Sequence, residues 1–499
     1  MNRFYRKIII GLGLVTCCSF YQGIVEADSP IKYQWNQEPA QSQPFPEPYS
    51  LIEGVLTFRG SSQRSAPAYG TVDMKRYKPT IAWEKKTRTS SWGGGAGWTG
   101  QPVIIRWKPE VVKTMNVKPQ FRDKPQFTEV IYGSLDGYVY FLDLETGEET
   151  RNPIRVGNPI KGSVSVDSRG YPLLYVGEGV PENGTIGFHL YSLTNEKELL
   201  FVKGIDSFSY RKWGAFDGSA LFNRNDDTLL VGGENGILYQ VKLNTDFKPE
   251  LKSISIRPIV YKYRYAIKGN GYQGIENSVS VYDDLVFFAD NGGSIQAMNL
   301  KSHVPQWSLP ATDDTDATIV IEEETGNPYL YTGTEVDKQG TKGKALIRKI
   351  NGRSGEVVWQ MTYPCFSLLG DHPVNGGLLA TPVLGKKEIG KLVIFTIARY
   401  GTFSGGLMVA LDKATGKEIW KLPMKSYSWS SPVDVYDQKG RGYLIQADSV
   451  GNIFVINALD GKVQGSLSIG SNIEASPAIY NNYVVVASRN GRIYGFKLE

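Results

Sequence analysis

Residues Ala410 to Trp420 (ALDKATGKEIW) set out a frame, A-x-D-x-x-x-G-x-x-x-W, that the chain repeats in worn form. Lys349 to Trp359 (KINGRSGEVVW) keeps the Gly and Trp and puts Asn351 in place of the Asp. Ala297 to Trp307 (AMNLKSHVPQW) keeps Asn299 and Trp307 but has His303 where the Gly belongs. Phe141 to Arg151 (FLDLETGEETR) keeps Asp143 and Gly147 and loses the Trp, and Val455 to Gly465 (VINALDGKVQG) is one residue shorter. Around the complete copy, Leu407, Val409 and Leu411 alternate with Met408, Ala410 and Asp412, the period of two of a strand. Lys413-Ala414-Thr415-Gly416 supplies a turn with a glycine free to take positive φ, and a second strand returns to Trp420. One small sheet of this kind cannot bury both faces alone. Sheet units recurring every ~40–60 residues therefore predict stacked blades, a propeller.

The frame resembles the repeat of the pyrroloquinoline-quinone (PQQ) enzyme propellers, whose tryptophan-docking motif has that form. It also resembles the non-enzymatic propellers of the same superfamily, such as the lipoprotein that assists outer-membrane protein assembly. The resemblance covers residues 80–499. It implies an all-β fold and leaves the function open between these two branches.

Strand-rich composition agrees, with 29 Tyr, 20 Phe and 55 Gly in 499 residues. The net charge is +5, and Arg3, Arg6 and Lys7 against Glu26 supply two of those units. That balance argues against a nucleic-acid partner. Residues 1–27 read as a signal peptide: a basic start, an apolar run from Ile8 to Phe20, and Val25-Glu26-Ala27 as a small-residue cleavage site. The run is too short for a comfortable membrane span, so the mature chain is expected to be secreted or held in the periplasm or cell envelope. Lipid anchoring at Cys17, after Leu14-Val15-Thr16, is the weaker alternative. After cleavage Cys365 is the one remaining thiol, which excludes an internal disulfide. Residues 28–78 read as a Pro/Gln-rich exposed linker and lead-in, and 79–499 as the propeller.

Inner strands are expected from Gln101, Ser163, Ser219, Ser278, Thr318, Thr381, Ser431 and Ser476, giving eight four-stranded antiparallel blades. One misread start would leave seven. Thr80 to Lys85 has the look of an outer strand with a docking Trp83 and no inner strands before it. It is expected to complete the last blade and so seal the ring's open edge.

In a propeller the loop leading into each inner strand lies near the axis. The residue two before each start is therefore a candidate for a ring around one mouth: Thr99, Lys161, Asp217, Glu276, Asp316, Leu379, Trp429 and Glu474. Four of these are carboxylates, and Asp313 and Asp314 stand beside them. Such a ring attracts an amine or a basic peptide, or holds Ca²⁺ through Asp217, Glu276 and Asp316; the bland counterpart is a solvated pore with an acid paired to Lys161. Trp98, Trp213 and Trp429, with Trp92 and Tyr427, crowd the same loops and offer flat faces for sugars, quinones or peptides, or simply anchor the loops. The run Gly93 to Gly97 has no helix pattern after it and is not a phosphate cradle.

Catalytic constellations are thin. His189, His303 and His372 lie far apart, no cysteine pair has zinc spacing, and there is no C-x-x-C-H for covalent haem. Cys365 and His372 form at most a weak nucleophile–base pair, and Asn183-Gly184-Thr185 reads as an exposed loop. The PQQ alcohol dehydrogenases cap their cofactor with adjacent cysteines and hold Ca²⁺ with Glu, Asn and Asp ligands; the mature chain lacks that cysteine pair. Two readings follow. One is an exported, non-catalytic, monomeric scaffold that binds a protein, peptide or glycan at its mouth and needs no cofactor. The other is a PQQ- and Ca²⁺-dependent oxidoreductase acting on alcohols or sugars.

Overall fold

The hydroxyl residues that open the repeats build the ring. Ser219 N donates to Ser278 Oγ at 2.9 Å, Ser278 N to Thr318 Oγ1 at 3.1 Å, Thr381 N to Ser431 Oγ at 3.0 Å and Ser431 N to Ser476 Oγ at 3.2 Å. Gln101 N donates likewise to Ser163 Oγ at 2.9 Å. Each bond crosses from one blade to the next, so a small hydroxyl residue satisfies a buried amide that no ladder reaches. The computed structural model, which describes residues 21–25, 31–98, 100–370 and 373–499, is an eight-bladed β-propeller of mainly four-stranded antiparallel sheets. Blade 7 is representative: Val433–Tyr436, Gly442–Ala447, Asn452–Asn457 and Val463–Ser468, innermost to outermost. Inner strands begin at Val103, Ser165, Leu221, Ser280, Val320, Val383, Val433 and Ala478. All lie two residues past the expected starts, because the preceding pair forms the belt and not the ladder.

The frame's letters have separate jobs. Asp412 caps its turn, accepting from Thr415 N at 2.9 Å and Thr415 Oγ1 at 2.7 Å, and the hydroxyl bond holds its carboxyl below the usual range. Gly416 sits at φ 69°, a conformation costly for any residue with a Cβ. A Cβ there would also lie 2.9 Å from the ring of Trp359 in the preceding blade. Trp359 Nε1 donates to Lys413 O at 2.9 Å. Trp307 repeats this arrangement on Gly352 and Gly355, Trp420 on Ala458 and Gly461, and Trp83 on Leu144 and Gly147. The frame is therefore an inter-blade dock: the glycine makes room for its neighbour's indole.

Thr80–Lys86 pairs antiparallel with Arg492–Lys497 and closes the ring in the last blade, as expected. The segment before it differs from the exposed linker that its composition suggests. Ile31–Trp35 pairs with Ile259–Ile267 as an added outer strand of blade 3, and Tyr21–Val25, within the stretch expected to be the leader, pairs with Ile31–Trp35 in turn. Trp35 is fully buried, and its Nε1 donates at 3.1 Å to the carbonyl of His303, the residue that replaces the frame's glycine. Phe45 and Tyr49 are buried as well. The Pro- and Gln-rich composition misleads because a few large rings among polar residues are enough to dock a strap on a preformed surface.

The lead-in then fills the axis. Arg59 Nη1 and Nη2 donate to Pro432 O and Pro382 O at 2.9 and 3.0 Å. Arg64 Nε and Nη2 donate to Val279 O and Ser219 O at 2.8 and 2.9 Å. Two wholly buried guanidiniums thus tie blades 3, 4, 6 and 7 together through backbone carbonyls. Burial lowers the Arg59 and Arg64 pKa values to about 10 and about 9. The channel has a floor.

Candidate functional site

Antiparallel pairing fixes what surrounds the mouth. The chain enters each inner strand there, runs toward the floor, and returns on the second strand. Loops leaving second strands therefore reach the same mouth as loops leading into inner ones. The leading-in loops bring Lys161, Asp217, Glu276 and Asp316 together; the returning loops add Glu234, Asn291 and Glu335, each two residues beyond the end of its strand.

Two groups share Glu276. In the first, the Lys161 ammonium bonds Asp217 Oδ2 and lies 3.7 Å from Glu276 Oε1. One carboxylate oxygen each from Asp217, Glu234 and Glu276 lie within 4.8 Å of one another. Burial would depress the lysine, but Asp217, Glu276 and Glu234 hold it well above its ordinary value. Burial, opposed by Lys161 and aided by Glu276, pushes Asp217 up to about 6. Glu234 is raised further, first by burial and then by its two acidic neighbours.

In the second group, Asn291 Nδ2 donates to Glu276 Oε2 at 3.0 Å and to Asp314 Oδ2 at 3.3 Å, while Asn375 Nδ2 donates to Glu335 Oε2 at 3.0 Å. Burial, with repulsion from neighbouring carboxylates, raises Asp314 and Asp316 well above the carboxylate range; burial takes Glu335 to about 8, opposed by its hydrogen bond with Asp316 and aided by Glu276. Asp217 Oδ1, Glu234 Oε1, Asp316 Oδ1 and Glu335 Oε1 are buried without a hydrogen-bond donor. A buried carboxylate oxygen without a donor is costly. Four such oxygens gather at one mouth.

The opposite side is aromatic. Trp98, from the loop leading into blade 1, clusters with Leu379 and Ala398 of blade 6 and with Tyr427 and Trp429 before blade 7. Tyr427 and Trp429 have ring centroids 5.8 Å apart, and the Arg399 guanidinium lies 4.0 Å over Tyr427. Trp98 and Trp429 both bury an indole N–H without an acceptor.

Not every expected residue joins. Glu474 accepts from Asn472 Nδ2 at 2.7 Å and lies 3.9 Å from Arg489, with Lys161 a weaker electrostatic neighbour. Trp213 is 38 % exposed and stacks on no ring among the described residues. Of the three residues expected to hold a metal, Asp217 and Glu276 stand together, with Glu234 beside them, whereas Asp316 faces Asp314 and Glu335. Glu234 and Glu335 escaped the sequence reading because it followed only the chain into each blade. The same count made at the ends of second strands, as in Gly232-Gly233-Glu234 and Gly333-Thr334-Glu335, would have found them. Cys365 is buried, donates weakly to Tyr363 O at 3.5 Å and is pushed up to about 12 by burial, which suits packing and not nucleophilic attack. His372, Thr99, Cys17, and Glu26 and Ala27 of the expected cleavage site lie outside the described residues. No helix among the described residues is long and apolar enough to cross a membrane.

Comparison with known proteins gives two kinds of likeness. A family model described as outer membrane protein assembly factor BamB matches residues 404–499. BamB of Burkholderia pseudomallei is 25 % identical over 218 residues, 43 % of this chain and 49 % of that protein. A 1-butanol dehydrogenase (quinone) of Thauera butanivorans is 23 % identical over 193 residues, 38 % of this chain and 30 % of that protein. The chain thus spans about half the length, or less, of these two relatives. Among solved structures, BamB from Moraxella catarrhalis superposes with a TM-score of 0.52 at 14 % identity, covering 84 % of this chain and 99 % of that one. The quinohemoprotein alcohol dehydrogenase ADHIIG from Pseudomonas putida HK5 gives 0.60 at 12 %, covering 89 % and 80 %. These structures share the fold.

Proposed function

From a PQQ-like β-propeller with a floored, half-acidic and half-aromatic mouth, we propose an exported, non-catalytic scaffold that binds a basic segment of a protein partner at the cell envelope. One observation carries the reading: the mouth gathers six carboxyls, Asp217, Glu234, Glu276, Asp314, Asp316 and Glu335, while among the described residues Lys161 is the cation ion-paired to them and Arg211 and Lys338 are spent on the oxygens of Asn291. A partner's cation supplies the missing charge, and its backbone or side-chain oxygens meet the free N–H groups of Trp98 and Trp429. The likeness to outer membrane protein assembly factors supports an envelope role, as do the expected leader and its cleavage near Ala27.

The alternative, a PQQ- and Ca²⁺-dependent oxidoreductase, draws on the Asp217–Glu234–Glu276 group. These three carboxylates are hard oxygen donors that fit a divalent cation, which would there act as a Lewis acid on a bound quinone. Two features weigh against it. Lys161 already neutralises Asp217, and the one cysteine among the described residues, Cys365, is buried in the core between blades 5 and 6 and cannot provide the adjacent-cysteine cap. The experiment gives purified protein PQQ with Ca²⁺ and follows dye-linked alcohol oxidation. In parallel, anisotropy measures binding of a fluorescein-labelled lysine- and arginine-rich peptide and of its glutamate counterpart. The scaffold reading expects no turnover, and binding of the basic peptide alone that weakens with salt. Saturable turnover, or equal binding of both peptides, overturns it.

A further inference from the structure

The two acidic groups around Glu276 are built alike and differ in one respect. The first contains its own ammonium, Lys161, bonded to Asp217 and facing Glu276. The second, Asp314, Asp316 and Glu335, forms no ion pair with any lysine, arginine or histidine among the described residues. The nearby Lys338 is engaged elsewhere: its Nζ donates to Asn291 O at 2.9 Å and lies 4.4 Å from the Tyr272 ring centroid. Resting on the scaffold reading, we propose that this second group is the specificity pocket for a primary ammonium, the ε-amino group of a lysine on the partner.

The pattern of free oxygens selects that chemistry. Glu335 spends Oε2 on Asn375, Glu335 Oε1 and Asp316 Oδ1 meet no N–H or hydroxyl donor and Asp316 faces the Glu335 and Asp314 carboxyls, while Asp314 shares Asn291 with Glu276 through long bonds of its own. Separate carboxylates each offering one oxygen suit a compact group with three diverging N–H bonds. An arginine fork needs both oxygens of one carboxylate clear in a common plane, whereas Asp314 accepts from Asn291 on both oxygens, Glu335 gives one to Asn375, and Asp316 is flanked by the Asp314 and Glu335 carboxyls. Ca²⁺ takes about 6–8 oxygen ligands, more than the free ones here. Glu335 is fully buried and Asp316 is 8 % exposed, whereas Asp314 and Glu276 are partly open, so the ligand enters past the latter pair.

The test measures anisotropy of labelled peptides that differ only in carrying lysine, arginine or Nε-acetyl-lysine, on the full mature chain and on Glu335→Gln and Asp316→Asn. The lysine peptide is expected to bind about tenfold more tightly than the other two, and each variant to erase that preference, a step of about 1.4 kcal/mol. Unfolding midpoints at or above the parent's show that the variants are folded. If lysine and arginine peptides bind equally and both variants leave binding unchanged, the pocket is refuted while the scaffold reading stands. If no basic peptide binds, the scaffold reading itself falls. Cadaverine alone, saturating at the peptide's affinity, retains the ammonium pocket and removes the protein partner as its source.

Discussion

Lys161→Met tests whether charge balance organises the mouth. The substitution keeps most of the side-chain stem and deletes the ammonium that bonds Asp217 and faces Glu276. Breaking a buried pair costs about 3–5 kcal/mol when the stranded charge has no escape. Here it has one, because Asp217 already titrates at about 6 with the lysine present and can take up a proton. A carboxyl whose folded pKa lies above its unfolded value weakens the fold progressively as pH rises from the unfolded pKa to the folded one, and no further beyond it. Parent and variant accrue the same loss up to pH 6. Above that, with Asp217 raised further in the variant, the gap widens by about 1.4 kcal/mol per pH unit, reaching about 3 kcal/mol at pH 8. Urea unfolding followed by tryptophan fluorescence at pH 5, 6.5 and 8 reads this directly. Lys161→Met/Asp217→Asn should recover most of the pH 8 loss, since both halves of the pair are then neutral. A gap of equal size at all three pH values would refute the reasoning and mean that the lysine matters through its packed stem.

Three further outcomes follow from other parts of the structure. Glu335, pushed up to about 8 by burial, weakens the fold as pH rises from the ordinary carboxylate value toward 8; Glu335→Gln should flatten that decline, seen as a smaller drop in thermal midpoint between pH 5 and 8. Gly416→Ala must accept both φ 69° and the Trp359 ring, costing about 2–5 kcal/mol from backbone strain and overpacking. In a Trp359→Ala background it should cost only the backbone part, about 1–2 kcal/mol, and a denaturation double-mutant cycle showing additivity would contradict the dock. Arg64→Met leaves the Val279 and Ser219 carbonyls dry, at about 1–3 kcal/mol each; faster amide exchange in the inner strands of blades 3 and 4 should accompany the loss.

The ring was legible in the sequence because its parts are local. Asp412, Gly416 and Trp420 fall within nine residues: the first two shape a turn that admits the preceding blade's indole, and the third docks on the blade that follows. The repeat starts were legible for a related reason, since a belt of side-chain hydroxyls demands Ser or Thr at one register position. The strap over residues 31–78 was not. Trp35 meets His303 across 268 residues, and Arg59 meets Pro432 across 373, so no local pattern announces either contact. Half of the mouth was read for the loops leading inward and half was missed for the loops returning. The rule that would have supplied Glu234 and Glu335 was available in the antiparallel hairpin itself.

The floor explains why the mouth's acids behave as they do. An open pore lets water and salt pass between carboxylates, and a ring of them then stays ionised with ordinary pKa values. Arg59, Arg64 and the segment around them close the axis beneath the mouth by hydrogen-bonding backbone carbonyls of four blades. Desolvation accordingly ranks first among the causes that raise Asp217, Glu234, Asp314, Asp316 and Glu335. In a medium of low polarity a cation that enters is held more strongly than at a wet rim. A ligand must also leave by the opening through which it came. If the mouth captures a cation as proposed, the strap that composition marked as a linker belongs to that device, and loosening it should weaken cation capture before it unfolds the ring.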